Sequence, residues 1–309
     1  MNTLQLNKKG VNGRTLNVVG LDGRSVSFPL RTPESEPISP YIKFADPEVK
    51  RICVENWGSD GEITYEQAAA VTSIGTVFKE NTAITEFNEL NTFLKVTAVN
   101  NKAFFNCTSL EEIDLTNITS TGDECFAGCT SLAKIGSLEN ITQMGNKAFD
   151  RCTELKIELY LPKLESFSSS TFYPSGFSES GITAIKSLGI VTKIPSQGPG
   201  YNWAMFNKCP NLRYAILPNT LQEMGNGVFA GSSALVAVIN LAVTPPTVGK
   251  NVFDNTSNCP IYVPDDGTGT IVQAYKTATN WSTYASRIFP ISQLEIDNPE
   301  LYAEVEGYL

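Results

Sequence analysis

The sequence predicts a β-rich solenoid, with one short strand in each coil of about 23 residues, a small helix-loop-helix cap at the N-terminal end and a helical cap at the C-terminal end. Three observations carry that expectation. Phenylalanine recurs at Phe104, Phe126, Phe149 and Phe172, then at Phe206, Phe229 and Phe253, spaced 22 to 24 residues apart within each series. Four recurrences stand in one phrase, Phe-x-x-Cys-x-x-Leu, with Ala before the ring in "AFFNCTSL" at 103–110 and "AFDRCTEL" at 148–155. A short run of alternating polarity follows each phrase, the pattern of a half-buried strand.

A period near 23 with one strand per unit is that of a leucine-rich-repeat solenoid. No unit buries its own apolar face, so stacked units share one core. The expected strands are 110–115, 132–138, 155–161, 182–188, 212–217 and 235–241. The rings of Phe104, Phe126, Phe149 and Phe172, then Phe206, Phe229 and Phe253, are expected to stack inward. Cys107, Cys129, Cys152 and Cys209 fill the next ladder position as reduced, small apolar groups. The step from Phe172 to Phe206 is 34 residues. About eleven of these exceed one period, and they read as a loop inserted at one edge, in "YPSGFSESG" or "IPSQGPGYNW".

These units resemble the BspA-like leucine-rich repeats of surface proteins from host-associated bacteria. The resemblance covers roughly 84–264, on the motif "AFxxCxxLxxIxLPxxIxxIGxxAF", with the Leu-Pro step kept in "LPKLESFSSSTF" and "LPNTLQEMGNGVF". The closing stretch "IYVPDDGTGTIVQAYKTATNWSTYASRIFPI" (261–291) looks like the family's usual end. There 271–279 reads as a helix, with Trp281 and Tyr284 packing over the last coil. In such a family an EF-hand-like loop can precede the repeats, and "NWGSDGEIT" offers Asn56, Asp60 and Glu62 as weak metal candidates. Gly58 and Gln67 stand where calcium wants carboxylates, so the expectation there is a turn of the cap rather than a filled site. No other cofactor is expected.

The segments outside the repeats have their own signals. Residues 1–30 read as a small β-element, with Asn12-Gly13 and Asp22-Gly23 as hairpin turns; 31–43 is a Pro-rich linker. In 44–83, Asp46-Pro47 starts one helix and Thr64 with Gln67 forms a capping box for the next. In 265–309, Asn298-Pro299 opens a last helix with Leu301, Val305 and Leu309 on one face. The Asn-x-Ser/Thr triplets, such as those at Asn106, Asn117 and Asn280, read as turn chemistry.

Composition bounds the function. Net charge is −9, against nucleic acid as partner. The five cations and one carboxylate of 1–32 make that segment about +4, which reads as a solvated surface, with a docking surface as the alternative. There is no histidine, which removes Ser–His–Asp and Cys–His catalysis. A carboxylate-only hydrolase is the enzyme-class rival. The leading expectation is a non-enzymatic recognition or adhesion module for a protein or glycan on a cell surface. Tyr173, Phe177, Tyr201 and Trp203, aromatics of the inserted loop, are the candidate contacts. The N-terminus shows no apolar leader and no run suits a membrane span. A phage virion fibre or decoration protein would fit, docked to other virion proteins through 1–40 or 295–309. The alternatives are a bacterial cell-surface adhesin with its leader trimmed, and a cytoplasmic scaffold.

Overall fold

A computed structural model describes residues 15–19, 25–29, 39–168, 176–195, 204–256 and 258–309. The chain divides into two units, 1–40 and 41–309. In the first, strands Thr15–Val19 and Ser25–Pro29 pair antiparallel, with Val19 opposite Ser25. The predicted Asp22-Gly23 and Asn12-Gly13 turns and most of the linker lie outside the described residues.

The second unit is a parallel β-solenoid of stacked coils. Its largest sheet runs in parallel order through β1 (Glu158–Tyr160), β2 (Ala184–Ser187), β3 (Tyr214–Leu217), β4 (Ala237–Asn240), β5 (Ile261–Val263) and β6 (Ile288–Pro290). The earlier coils continue this side as Glu86–Phe87 paired with Glu112–Ile113, then a single bridge from Glu112 to Lys134. The strand expected at 132–138 is therefore one residue long. Gly136 adopts a φ of 61°, which turns the chain out of the extended state. Each coil also contributes a second strand of two residues, in the ladders Ala98–Val99, Ser120–Thr121, Gln143–Met144, Ser166–Phe167 and Lys193–Ile194, Glu223–Met224, Thr247–Val248.

The core is a stack of phenyl rings. Phe78, Phe104, Phe126, Phe149, Phe177, Phe206, Phe229 and Phe253 follow one another at centroid distances of 5.1, 5.2, 5.2, 5.3, 5.8, 5.7 and 5.7 Å, tilted by no more than 17°. Each ring sits at the tip of a tight turn. At five of the rings the residues two before and two after take left-handed backbone: Lys102 and Asn106, Glu124 and Gly128, Lys147 and Arg151, Gly227 and Gly231, Asn251 and Asn255. The amide of one ring residue donates to the residue preceding the next, Phe104 to Cys125 and Phe126 to Ala148.

The ring between Phe149 and Phe206 is Phe177, not Phe172 as the spacing suggested. Phe149 N donates to Gly176 O and Phe177 N to Met205 O, the same register as every other coil. The extra residues are accordingly split. Part precedes Phe177 and part follows it, because the steps from Phe149 to Phe177 and on to Phe206 are 28 and 29 residues. Phe172 itself lies outside the described residues.

Both ends of the stack are closed. α1 (Pro47–Trp57) starts at Asp46, and α2 (Tyr65–Ala70) starts with the predicted capping box of Thr64 and Gln67. Asp46 is 3% exposed and joins the cap to the first coil. Its Oδ1 accepts from the amides of Glu48 and Val49 at 2.7 and 3.1 Å. Its Oδ2 accepts from the amide and hydroxyl of Thr85 at 2.6 and 2.9 Å. At the far end, α3 (Thr270–Thr277) and the turn after it bury Trp281 and Tyr284 against Phe253, at 6.1 and 5.2 Å. Trp281 Nε1 donates to Pro246 O at 2.7 Å.

Two outcomes follow from this packing. Phe177→Ala will cost about 3–5 kcal/mol of stability in urea unfolding, as Phe149→Ala does; a loop residue would change it by less than about 0.5 kcal/mol. Asp46 supplies the second. Burial raises its pKa, but the hydrogen bonds from Thr85, Val49 and Glu48 outweigh burial and leave it below its ordinary value. A carboxyl with a lowered folded pKa stabilises above its unfolded pKa, and that stability is lost as pH falls through the folded value. Wild type will lose stability steadily below about pH 4. Asp46→Asn will be less stable at pH 7 and will show a shallower acid slope in thermal unfolding.

Candidate functional site

The outward side of the large sheet is divided in two. Inward side chains of the strands, such as Leu159, Ile185, Ala215, Val238 and Ile261, join the ring stack. Outward side chains of β2 to β5 are also apolar: Ala184, Tyr214, Ile216, Ala237, Ile239 and Tyr262. α4 (Ser292–Asp297) and α5 (Pro299–Val305) lie on them and bury Leu294, Leu301 and Val305 there. Tyr214 Oη donates to Glu304 at 2.9 Å and Tyr262 Oη to Asp297 at 3.0 Å. The predicted helix of 299–309 ends at Val305, so Leu309 does not share its buried face and is 41% exposed. A partner of residues 295–309 would meet their other side, where Ile296 is 74% exposed.

From β1 back toward the N-terminal cap the same side of the sheet is open and polar. Asn88 Nδ2 bonds Glu112 at 3.1 Å, Lys134 Nζ bonds the other oxygen of Glu112 at 3.1 Å, and Asn91 Nδ2 bonds Asp114 at 2.8 Å. The border between the two regions runs through Tyr160. A groove of about 330 Å³ lies on the tail side, lined by Tyr160, Lys186, Ser187, Asn219 and Tyr308 among others. A second groove of about 400 Å³ lies on the open side, lined by Ser137, Glu139, Glu158 and Tyr160. The Tyr160 and Tyr308 rings meet edge to face at 6.2 Å. Lys186 Nζ is 2.6 Å from Glu158 and 5.8 Å from the centre of the Tyr308 ring. Its hydrogen bond to Glu158 raises its pKa, so the ammonium stays charged and paired.

The residues predicted as contacts are distributed otherwise. Phe177 is a fully buried rung and cannot face a ligand. Tyr173, Tyr201 and Trp203 lie outside the described residues. Tyr160, Lys186 and Tyr308 were missed. The available signal was that β3 and β4 read "YAIL" and "AVIN", apolar on both alternating sets, which marks strands covered on two sides.

The metal candidates do other work. Asn56 Nδ2 donates back to Ile52 O at 2.8 Å, Glu62 pairs with Lys50 at 2.7 Å, and Asp60 takes a φ of 53° in the turn between Ser59 and Glu62. Among the described residues no three acidic or sulfur side chains are grouped as ligands.

The cysteine ladder has a second role besides packing. Cys107, Cys129, Cys152 and Cys209 each donate S–H to the carbonyl of the preceding ring residue, Phe78, Phe104, Phe126 and Phe177, at 3.0 to 3.2 Å. Ser232 stands at the same position in its coil and its hydroxyl bonds Phe206 O at 2.8 Å. All seven thiols are free and buried. Burial pushes Cys209 and Cys259 up to about 12, so both are protonated at neutral pH. Asp150 is the carboxyl held above its ordinary value among the described residues, by burial first, and it lines neither groove.

The profile of the BspA type leucine rich repeat region matches residues 72–197 and 202–285, in six copies. The chain belongs to that family. Among solved structures it is similar to a T. pallidum leucine rich repeat protein, at 23% identity and TM-score 0.42, over 53% of this chain and 72% of that one. A leucine-rich repeat protein from Bacteroides ovatus matches at 18% identity and TM-score 0.34, over 83% and 71%. A leucine rich cell surface protein from Faecalibacterium prausnitzii matches at 15% and 0.34, over 82% and 75%. No curated protein matches the chain.

The ladder chemistry yields one prediction. Cys152→Ser keeps a donor for Phe126 O and will be more stable than Cys152→Ala by about 1 kcal/mol in urea unfolding. The reverse order would make the sulfur an apolar filler alone.

Proposed function

We propose that the chain is a non-enzymatic recognition module that reads a protein or glycan at a bacterial surface with the open part of its strand face. One observation carries this: half of that face is sealed by the chain's own tail, while the other half is left polar, ordered and free, with two grooves at the border. Solenoids act through such extended faces. The absence of histidine from the sequence and the burial of all seven thiols support binding over catalysis. Membership in the BspA-type family supports a surface setting. The virion fibre or decoration protein expected from the sequence is a special case, in which the same module reaches that surface on a particle.

Fractionation of the native source tests the setting. Mass spectrometry of purified phage particles, envelope and cytosol should find the protein in the envelope or, stoichiometrically, in particles. The first outcome makes it a surface adhesin and the second a virion component. Confinement to the cytosol would overturn the reading.

A further inference from the structure

We infer that the paired grooves around Tyr160 bind a neutral oligosaccharide, laid across the Tyr160 ring, with the C-terminal tail supplying one wall. The inference rests on the recognition reading above and gives it a ligand class. Four features of the border select that class.

The first is the aromatic arrangement. Tyr160 lines both grooves, and Tyr160 and Tyr308 are 39% and 37% exposed at its edge. A tyrosine presents a rigid apolar face beside a polar tip, which suits a pyranose with its C–H face and hydroxyl rim. The second is the polar lining. Ser187 and Asn219 on one side, and Ser137, Glu139 and Glu158 on the other, supply short donors and acceptors around that ring. The third is charge. Lys186 is matched by Glu158 at 2.6 Å, so the centre of the site presents a neutral pair to its ligand. A sialylated or uronic-acid glycan would need a cation left free for it. The fourth concerns shape. β1 ends the sheet, but its open edge is only three residues long, about half a usual strand, so a peptide finds little edge to extend. The grooves are shallow and lack the deep apolar pocket that a protein hot spot fills. Their volumes of about 330 and 400 Å³ stand at the small end of the usual range for ligand sites.

The site is incomplete without the tail. α5 and the turn after it bring Tyr308 over Lys186 and beside Tyr160. Ligand affinity therefore depends on two residues almost half the chain apart.

The test is a printed array of neutral oligosaccharides (maltohexaose, cellohexaose, chitohexaose, mannohexaose) and sialylated or uronic-acid glycans, probed with the full chain. Neutral glycans should bind. Tyr160→Ala and Tyr308→Ala should each weaken binding about tenfold, Tyr160→Phe should change it little, and the remote Tyr65→Ala not at all. Thermal unfolding checks that the variants, altered at exposed rings, keep their fold. Binding restricted to acidic glycans, binding indifferent to Tyr160→Ala, or no binding to the neutral set would overturn the inference. A dark array with the protein at the envelope or in particles refutes the glycan alone; confinement to the cytosol refutes the recognition reading itself.

Discussion

A coil of about 23 residues is one side chain thick along the axis, so the two faces of its phenyl ring find no cover within that coil. They are covered by the ring above and the ring below. That single constraint organises the molecule. It requires a ring at the same point of every turn, hence the period. It requires end pieces that cover the first and last rings, which is what the N-terminal helices and Trp281 with Tyr284 do. It also sets what an insertion can do: extra residues may leave the turn at any exposed point, but the register must return a ring to the stack. Phe177 is that ring, and the residues on both sides of it absorb the excess.

In five of the turns two left-handed residues flank the ring, and the sequence fills these positions with little regard for glycine. Lys102, Glu124, Lys147 and Arg151 all adopt positive φ. Each costs on the order of 1–2 kcal/mol of backbone strain. Stacking and the interlocking amides of the turns offset this, since each buried ring contributes on the order of 2–3 kcal/mol. The small donor three residues after the ring belongs to the same arrangement. The turn leaves the ring residue's carbonyl facing the next coil in an apolar interior, and a thiol or serine there meets it without adding bulk. Cysteine serves this position because it is both small and apolar, and at Cys152 and Cys209 burial favours the protonated form that makes the bond.

The repeat was legible because its constraint is local and recurs. Spacing, the Phe-Cys phrase, the capping box at Thr64 and the start at Asn298-Pro299 are all short-range chemistry. What escaped was decided between distant segments. Phe172 and Phe177 are both plausible rungs by spacing, and only the pairing of Phe149 N with Gly176 O selects the second. The short strand at Lys134 turns on one glycine conformation. The cover over β2 to β5 depends on a helix more than fifty residues beyond β4. Its trace in the sequence is two-sided apolarity in strands that otherwise resemble their neighbours, and that pattern names no partner. The binding face was sought among loop aromatics, where one proved to be core.

Which rows of the sheet α4 and α5 cover follows from side-chain chemistry. Outward positions of β5, β4 and β3, and Ala184 of β2, are apolar, and the helices bury them at a gain. The switch begins within β2 at Lys186 and continues in β1 at Glu158 and Tyr160. A helix continuing over Glu158 and Lys186 would strip water from an ion pair whose carboxylate is still 47% exposed, and such desolvation costs several kcal/mol per ion. The cover by α4 and α5 gives way at that row, and Tyr308 stands at the border beside Tyr160, both rings partly exposed. The grooves are the product of this switch from apolar to charged along one row of the sheet, and so a sealed face and an open, aromatic-edged site arise from the same few substitutions.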